Sequence, residues 1–136
     1  MKIYLESWAA MPTKAHAQDA GWDLYAPEDV LVPAKESAVI DTGVHIQLPE
    51  RTAGLIRPRS GLNIRHGVVC DGVIDPQYTG SIFVKLYNLG GYDYHVQRGD
   101  RIAQLVIVPA VDVPLEAVAA LPDTARGTGS LGSSGR

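Results

Sequence analysis

Cysteine is nearly absent: Cys70 is the single one in 136 residues. No intrachain disulfide can form, and nothing asks for an oxidising compartment. Cys70 follows Val68 and Val69, a setting in which it reads as a small core residue and not as a nucleophile. Long apolar runs are missing as well. None approaches the roughly 20 residues that span a bilayer, and Met1 to Glu6 lacks the apolar stretch of a signal peptide. The expectation is a soluble, cytoplasmic protein with no membrane partner. Positive charge is not in excess: 12 Lys and Arg against 15 Asp and Glu leave a net charge of -3. That balance speaks against a nucleic-acid partner. The chain has no GxxxxGK[ST], no HExxH and no glycine-flanked serine elbow. Its histidines, His16, His45, His66 and His95, show no metal-ligand spacing.

What remains is a chain with enough apolar residues (46%) for one compact domain. Gly 14 and Pro 9 punctuate short runs rich in β-branched residues. The runs 2–5, 21–25, 37–41, 44–48, 53–57, 68–70, 81–88, 94–96 and 101–108 read as strands. The 82–88 stretch is almost continuously apolar and reads as buried on both faces. Many short strands at regular spacing predict an all-β fold, a distorted antiparallel barrel or jelly roll. One short helix is expected over 60–66, with Ser60 as its cap. Residues 115–121 are bracketed by Pro114 and Pro122 and read as an extended arm. From Asp123 onward the composition becomes glycine, serine and threonine with two arginines, either a plain flexible tail or a mobile phosphate-binding lid. The domain expectation is therefore a body over 1–122 and an arm over 123–136.

Four further segments combine glycine with charge. In Ala20-Gly21-Trp22-Asp23-Leu24-Tyr25-Ala26, alternation turns Asp23 to the face opposite Trp22 and Leu24. In Arg57-Pro58-Arg59-Ser60-Gly61-Leu62, arginine and hydroxyl at a helix start suit an anion, though a capped helix with surface arginines has the same letters. In Gly72-Val73-Ile74-Asp75-Pro76-Gln77-Tyr78-Thr79-Gly80, an apolar strand runs into a turn, which reads as a hairpin with a carboxylate and an aromatic at its tip. In Arg98-Gly99-Asp100-Arg101-Ile102-Ala103-Gln104-Leu105, Gln104 interrupts an apolar strand and needs a partner there, in a neighbouring strand or in a site.

Taken in order, AGWDLYA, RPRSGL, GVIDPQYTG, RGDRIAQL and the C-terminal RGTGSLGSSG resemble the five ordered motifs of the homotrimeric dUTPase family, from about Ala20 to Arg136. The resemblance implies a β-clip jelly roll that assembles as a homotrimer with active sites between subunits. It implies hydrolysis of dUTP to dUMP and pyrophosphate with Mg2+ held mainly by phosphates and water. It implies Asp75 as the carboxylate that holds the attacking water, with Gln104 helping and Asp23 orienting the phosphate cradle. Arg59, Ser60 and Gly61 would contact phosphates. Gly72, Val73 and Ile74 would read uracil through backbone groups, with Asp71 beside them, and Tyr78 would stack under deoxyribose. Arg126, Ser130, Gly132 and Ser133 would close over the outer phosphates, with Leu131 where the family usually carries a stacking aromatic. Gln77 stands where an acidic residue is usual. Two rivals share the scaffold. A dCTP deaminase needs a glutamate near the base, and the Gly72-to-Gly80 segment offers none. A non-catalytic binding module would need neither Asp75 nor the arm.

Overall fold

The computed structural model describes residues 1–129. It is an all-β fold with one short helix. In chain order the elements are β1 (Lys2–Leu5), β2 (Gly21–Tyr25), β3 (Val30–Val32), β4 (Ser37–Gln47), β5 (Thr52–Arg57), α1 (Ser60–His66), β6 (Val68–Val69), β7 (Gly72–Ile74), β8 (Ser81–Asn88), β9 (Tyr94–Val96) and β10 (Arg101–Pro109). They form antiparallel sheets of order β1-β4-β8-β6, β2-β10-β5-β7 and β3-β9. The expected barrel or jelly roll takes the form of these sheets around one shared core, with no closed ring among the described residues.

Alternation explains the core. Ile40, Ile82, Val84 and Leu86 point inward from the first large sheet, and Leu24, Ile56 and Leu105 from the second, all almost wholly buried. Burying each such aliphatic side chain stabilises the fold by about 1.5–3 kcal/mol. The same period corrects the reading of the 82–88 stretch. In β8 the even positions are buried, whereas Phe83, Lys85 and Tyr87 face outward, so the strand has one core face. Large apolar residues on both faces hid the alternation. Asn88 takes an inward position and is fully engaged. Its Nδ2 donates to the carbonyls of Val32 (2.9 Å) and Tyr92 (2.8 Å), and its Oδ1 accepts from the Gly90 N–H (2.9 Å).

The two strands expected over 37–41 and 44–48 are one strand, β4, with a register shift between Asp41 and His45. Gly43 at φ 64 makes the kink, and the Trp8 ring lies 2.6 Å from where a Cβ would stand. The strand β3 was not expected. Its three residues lie between Asp29 and Pro33, too short a run to show a period. The helix falls over the expected residues, but its cap is Arg59, with no side-chain hydrogen bond; Ser60 is already helical. Residues 110–129 carry no strand or helix, which agrees with an extended arm over 115–121. No helix among the described residues is long and apolar enough to cross a membrane.

Candidate active site

The second large sheet carries a polar row across its strands. Asp23 on β2 is the register partner of Gln104 on β10, and Gln104 is the partner of Arg57 on β5. Arg57 donates to Asp71, just before β7, at 2.8 Å. Facing positions on neighbouring strands share a side of the sheet, so one pleat sets all four. The opposite side takes Leu24, fully buried, and Trp22, which lies in an apolar recess with Leu105. Asp23 thus points away from both, as expected.

Around the β2 end of the row lies a cavity of about 270 Å³ lined by Asp19, Gly21, Asp23, Arg59, Ser60, Gly61 and Gln104 among others. Asp23 is 13% exposed and is gripped by two guanidinium groups: Arg59 Nε at 3.0 Å from Oδ1 and Arg101 Nη1 at 3.3 Å from Oδ2. This fixes the Arg59 side chain at the cavity wall. Gln104 donates through Nε2 to the Pro58 carbonyl at 3.2 Å. Gly21 makes room for it, since a Cβ there would sit 2.7 Å from Gln104 Oε1. Ser60 is exposed at the start of α1, and open space surrounds Gly61. A donor-rich wall that a ligand's oxygens can approach closely suits an anion.

Asp75 and Tyr78 are elsewhere. Beyond Ile74, which pairs with Gly54, Asp75 lies at the Thr52 end of β5, whereas the cavity lies past Arg57. Four residues of strand separate those ends, roughly 13 Å at about 3.3 Å per residue. The Gly72-to-Gly80 segment is also not a hairpin. Its first strand, β7, pairs with β5 in one sheet, and β8 pairs with β4 and β6 in the other. The Asp75–Tyr78 turn, closed by Tyr78 N–H to Asp75 O at 3.1 Å, carries the chain between sheets. Local alternation cannot say which strand pairs with which. Asp75, Val73 and Tyr78 are exposed, and the Tyr78 hydroxyl donates to Ser81 O at 2.9 Å.

Arg126 sits exposed in a turn, its Nε donating to Gly129 O at 3.1 Å. The expectations for Ser130, Leu131, Gly132 and Ser133 lie outside the described residues. Cys70 is buried, and its thiol is pushed up to about 11, first by burial and then by the nearby Asp71 carboxylate, against the opposing pull of Arg57. It is a core residue. Sequence reading missed Arg101 as the second grip on Asp23, and Asp19 in the cavity wall. Arg101 stands in the RGDR segment, but its target is set only by the pairing of β2 with β10.

Fold and site together define an all-β protein with an arginine- and amide-lined cavity at one end of a sheet and the exposed Asp75 near the other. The family model described as dUTPase matches residues 7–135, and the chain belongs to the dUTPase family, a family of dUTP diphosphatases. It is 44% identical to a deoxyuridine 5'-triphosphate nucleotidohydrolase of Gloeothece citriformis, over 96% of this chain and 92% of that one. It is 43% identical to the mitochondrial enzyme of that name from Homo sapiens, over 97% of this chain and 53% of the human one. Among solved structures it resembles the Staphylococcus bacteriophage 80alpha dUTPase with dUpNHpp, at TM-score 0.92 and 30% identity, covering 99% and 98% of the two chains. It also resembles a mutant dUTPase from phage phi11 of S. aureus, described with a structural Mg(II) ion, at TM-score 0.80 and 31% identity, covering 88% and 96%.

Proposed function

We propose that this chain hydrolyses dUTP to dUMP and pyrophosphate, by in-line attack on the α-phosphorus of a water held by Asp75, in sites shared between the copies of a homotrimer. The observation that carries the reading is the division of the machinery. The cradle of Asp23, Arg59, Ser60, Gly61 and Gln104 is built within one chain, while Asp75 stands at the far end of the same strand pair. The two parts lie roughly 13 Å apart along the strand pair, at about 3.3 Å per residue, which supports their being supplied by different copies. A second copy's Asp75 turn facing this cradle would complete the site, and the arm of a third would cover it.

The residues then divide the work. Arg59 and Ser60 hold the phosphates, with Gly61 leaving room for close approach. Asp23 fixes Arg59, and Gln104 binds phosphate or steers the water. From the other copy, Gly72, Val73 and Ile74 offer backbone groups to the uracil edge, beside Asp71. Tyr78 lies under the deoxyribose and excludes a 2′-hydroxyl. Arg126, with Ser130, Leu131, Gly132 and Ser133, closes over the nucleotide. Asp75, exposed on its turn, serves to orient the attacking water in line with the scissile bond.

The cradle's own charges, Arg59 and Arg101 against Asp19 and Asp23, balance. A triphosphate carries about four negative charges, so further positive charge must come from outside the cradle. Among the described residues no three His, Cys, Asp or Glu side chains gather to hold a metal, and Asp23 is engaged by arginines. This donor set fits a Mg2+ that arrives on the phosphate oxygens. Bound there, it supplies charge neutralisation for the pyrophosphate leaving group. The product serves as precursor for dTMP synthesis, and removal of dUTP keeps uracil out of DNA.

The test is pyrophosphate release from dUTP, dCTP, dTTP and UTP by the purified chain, with Mg2+ and then with excess chelator. Turnover should be confined to dUTP and fall steeply without the metal. Ammonia release from dCTP would favour a deaminase instead, and inertness towards all four would reject an enzymatic role.

A further inference from the structure

The segment from Asp75 to Gly80 hangs between two sheets, tied to one by β7 and to the other by β8. Within it, the Tyr78 N–H closes the turn on the Asp75 carbonyl. Another bond reaches it from β4. His45 places Nδ1 2.9 Å from the carbonyl oxygen of Thr79, which lies between Tyr78 and Gly80. A carbonyl only accepts, so Nδ1 carries the hydrogen and donates. The ring is itself held from β1 and the residue after it. Tyr4 packs edge-on against it with centroids 5.3 Å apart, and Glu6 Oε1 lies 3.4 Å from Nε2. Nε2 is buried and has no hydrogen-bond partner among the described residues. The Thr79 bond is therefore the ring's one directed interaction through its nitrogens among the described residues.

We propose that His45 is a positioning residue for the catalytic turn. Through Nδ1–H to Thr79 O it fixes the backbone that carries Tyr78 and, at the turn's other end, Asp75. Rigid placement matters here because a water aimed in line with a scissile bond tolerates little displacement, and misplacement of about 1 Å can cost a hundredfold in rate. The inference rests on the reading of Asp75 as the water-holding carboxylate. It adds a residue outside the five motifs, on the neighbouring sheet, acting through backbone and not on substrate.

Three substitutions separate position from bulk. His45→Asn puts an amide nitrogen where Nδ1 stands, so it can still donate to Thr79. His45→Gln reaches outward towards Glu6 and misses the carbonyl, and His45→Ala loses both. With the full chain, Mg2+ and dUTP, we expect kcat to fall about fivefold in His45→Ala and His45→Gln, the scale of one net hydrogen bond. His45→Asn should stay within about twofold of wild type. KM should move less than kcat in all three, because the phosphate cradle is untouched. A merely structural histidine would make activity follow melting temperature instead of donor position. Wild-type kcat in His45→Ala, or His45→Asn as slow as His45→Ala, overturns the proposal. A wild-type chain inert towards dUTP overturns the reading beneath it, and the proposal with it.

Discussion

Asp23 is 13% exposed and faces two guanidinium groups, while Asp75 stands exposed on a turn and takes part in none of the described ion pairs. The first carboxylate is neutralised by its arginines and serves to aim Arg59. The second is free to accept hydrogen bonds from water, which is what an orienting group requires. Replacing Asp75 by Asn keeps the size and one acceptor but gives away the negative charge and turns half of the group into a donor. In Asp75→Asn, kcat should drop at least about a hundredfold, the usual scale for losing such a group. Affinity for a non-hydrolysable dUTP analogue, measured by titration calorimetry, should stay within about threefold. Turnover near wild type would remove Asp75 from the chemistry. Loss of binding together with turnover would make it a binding residue instead.

At the scale of elements, the strand pattern was largely legible because alternation is a local signal. β1, β2, β5, β8, β9 and β10 lie where apolar period and glycine punctuation put them. Pairing was not legible. That β7 and β8 belong to different sheets, so that the Asp75 turn is a crossing and not a hairpin, depends on partners far away in the chain. For the same reason Asp23, Gln104, Arg59, Ser60 and Gly61 could be named singly, while the row that joins Asp23, Gln104, Arg57 and Asp71 emerges only from the order β2-β10-β5-β7. The close approach of β2 to β10 is what seats Gln104. A Cβ on Gly21 would stand 2.7 Å from Gln104 Oε1, 3.0 Å from its Cβ and 3.2 Å from Val106 Cγ2. The amide can swing away, but the Cβ and the valine are set by β10. Gly21→Ala should therefore push Gln104 off the Pro58 carbonyl and out of line. We expect kcat/KM for dUTP to fall about tenfold, with about 1–3 kcal/mol of stability lost to overpacking, read by steady-state kinetics and urea denaturation. Unchanged kinetics would mean that Gln104 has no part in the site.

At the scale of the whole molecule, the chain displays surface that one copy leaves uncovered. Val39, Phe83 and Tyr87 stand exposed on β4 and β8, and Val111, Val113, Leu115 and Leu121 are exposed along the segment after β10. Exposed apolar residues are a mark of association where they join into one patch. The proposed division of the active site between copies has a sharper test, because separated halves can be supplied by different subunits. Asp75→Asn and Arg59→Gln should each be nearly inactive as pure assemblies, the first for want of the water-holding carboxylate and the second for want of the phosphate clamp. Unfolded together in equal amounts and refolded, they should regain activity. If each site of a symmetric trimer draws Asp75 from one subunit and Arg59 from its neighbour, as proposed, about one site in four receives both intact residues by random assembly. Recovery of about a quarter of wild-type kcat per chain, absent when the two preparations are mixed without unfolding, is the expected result. If co-refolding restores nothing while each variant folds and associates normally, both residues serve the same subunit, and Asp75 must reach its own cradle by a rearrangement of the β5–β7 pair.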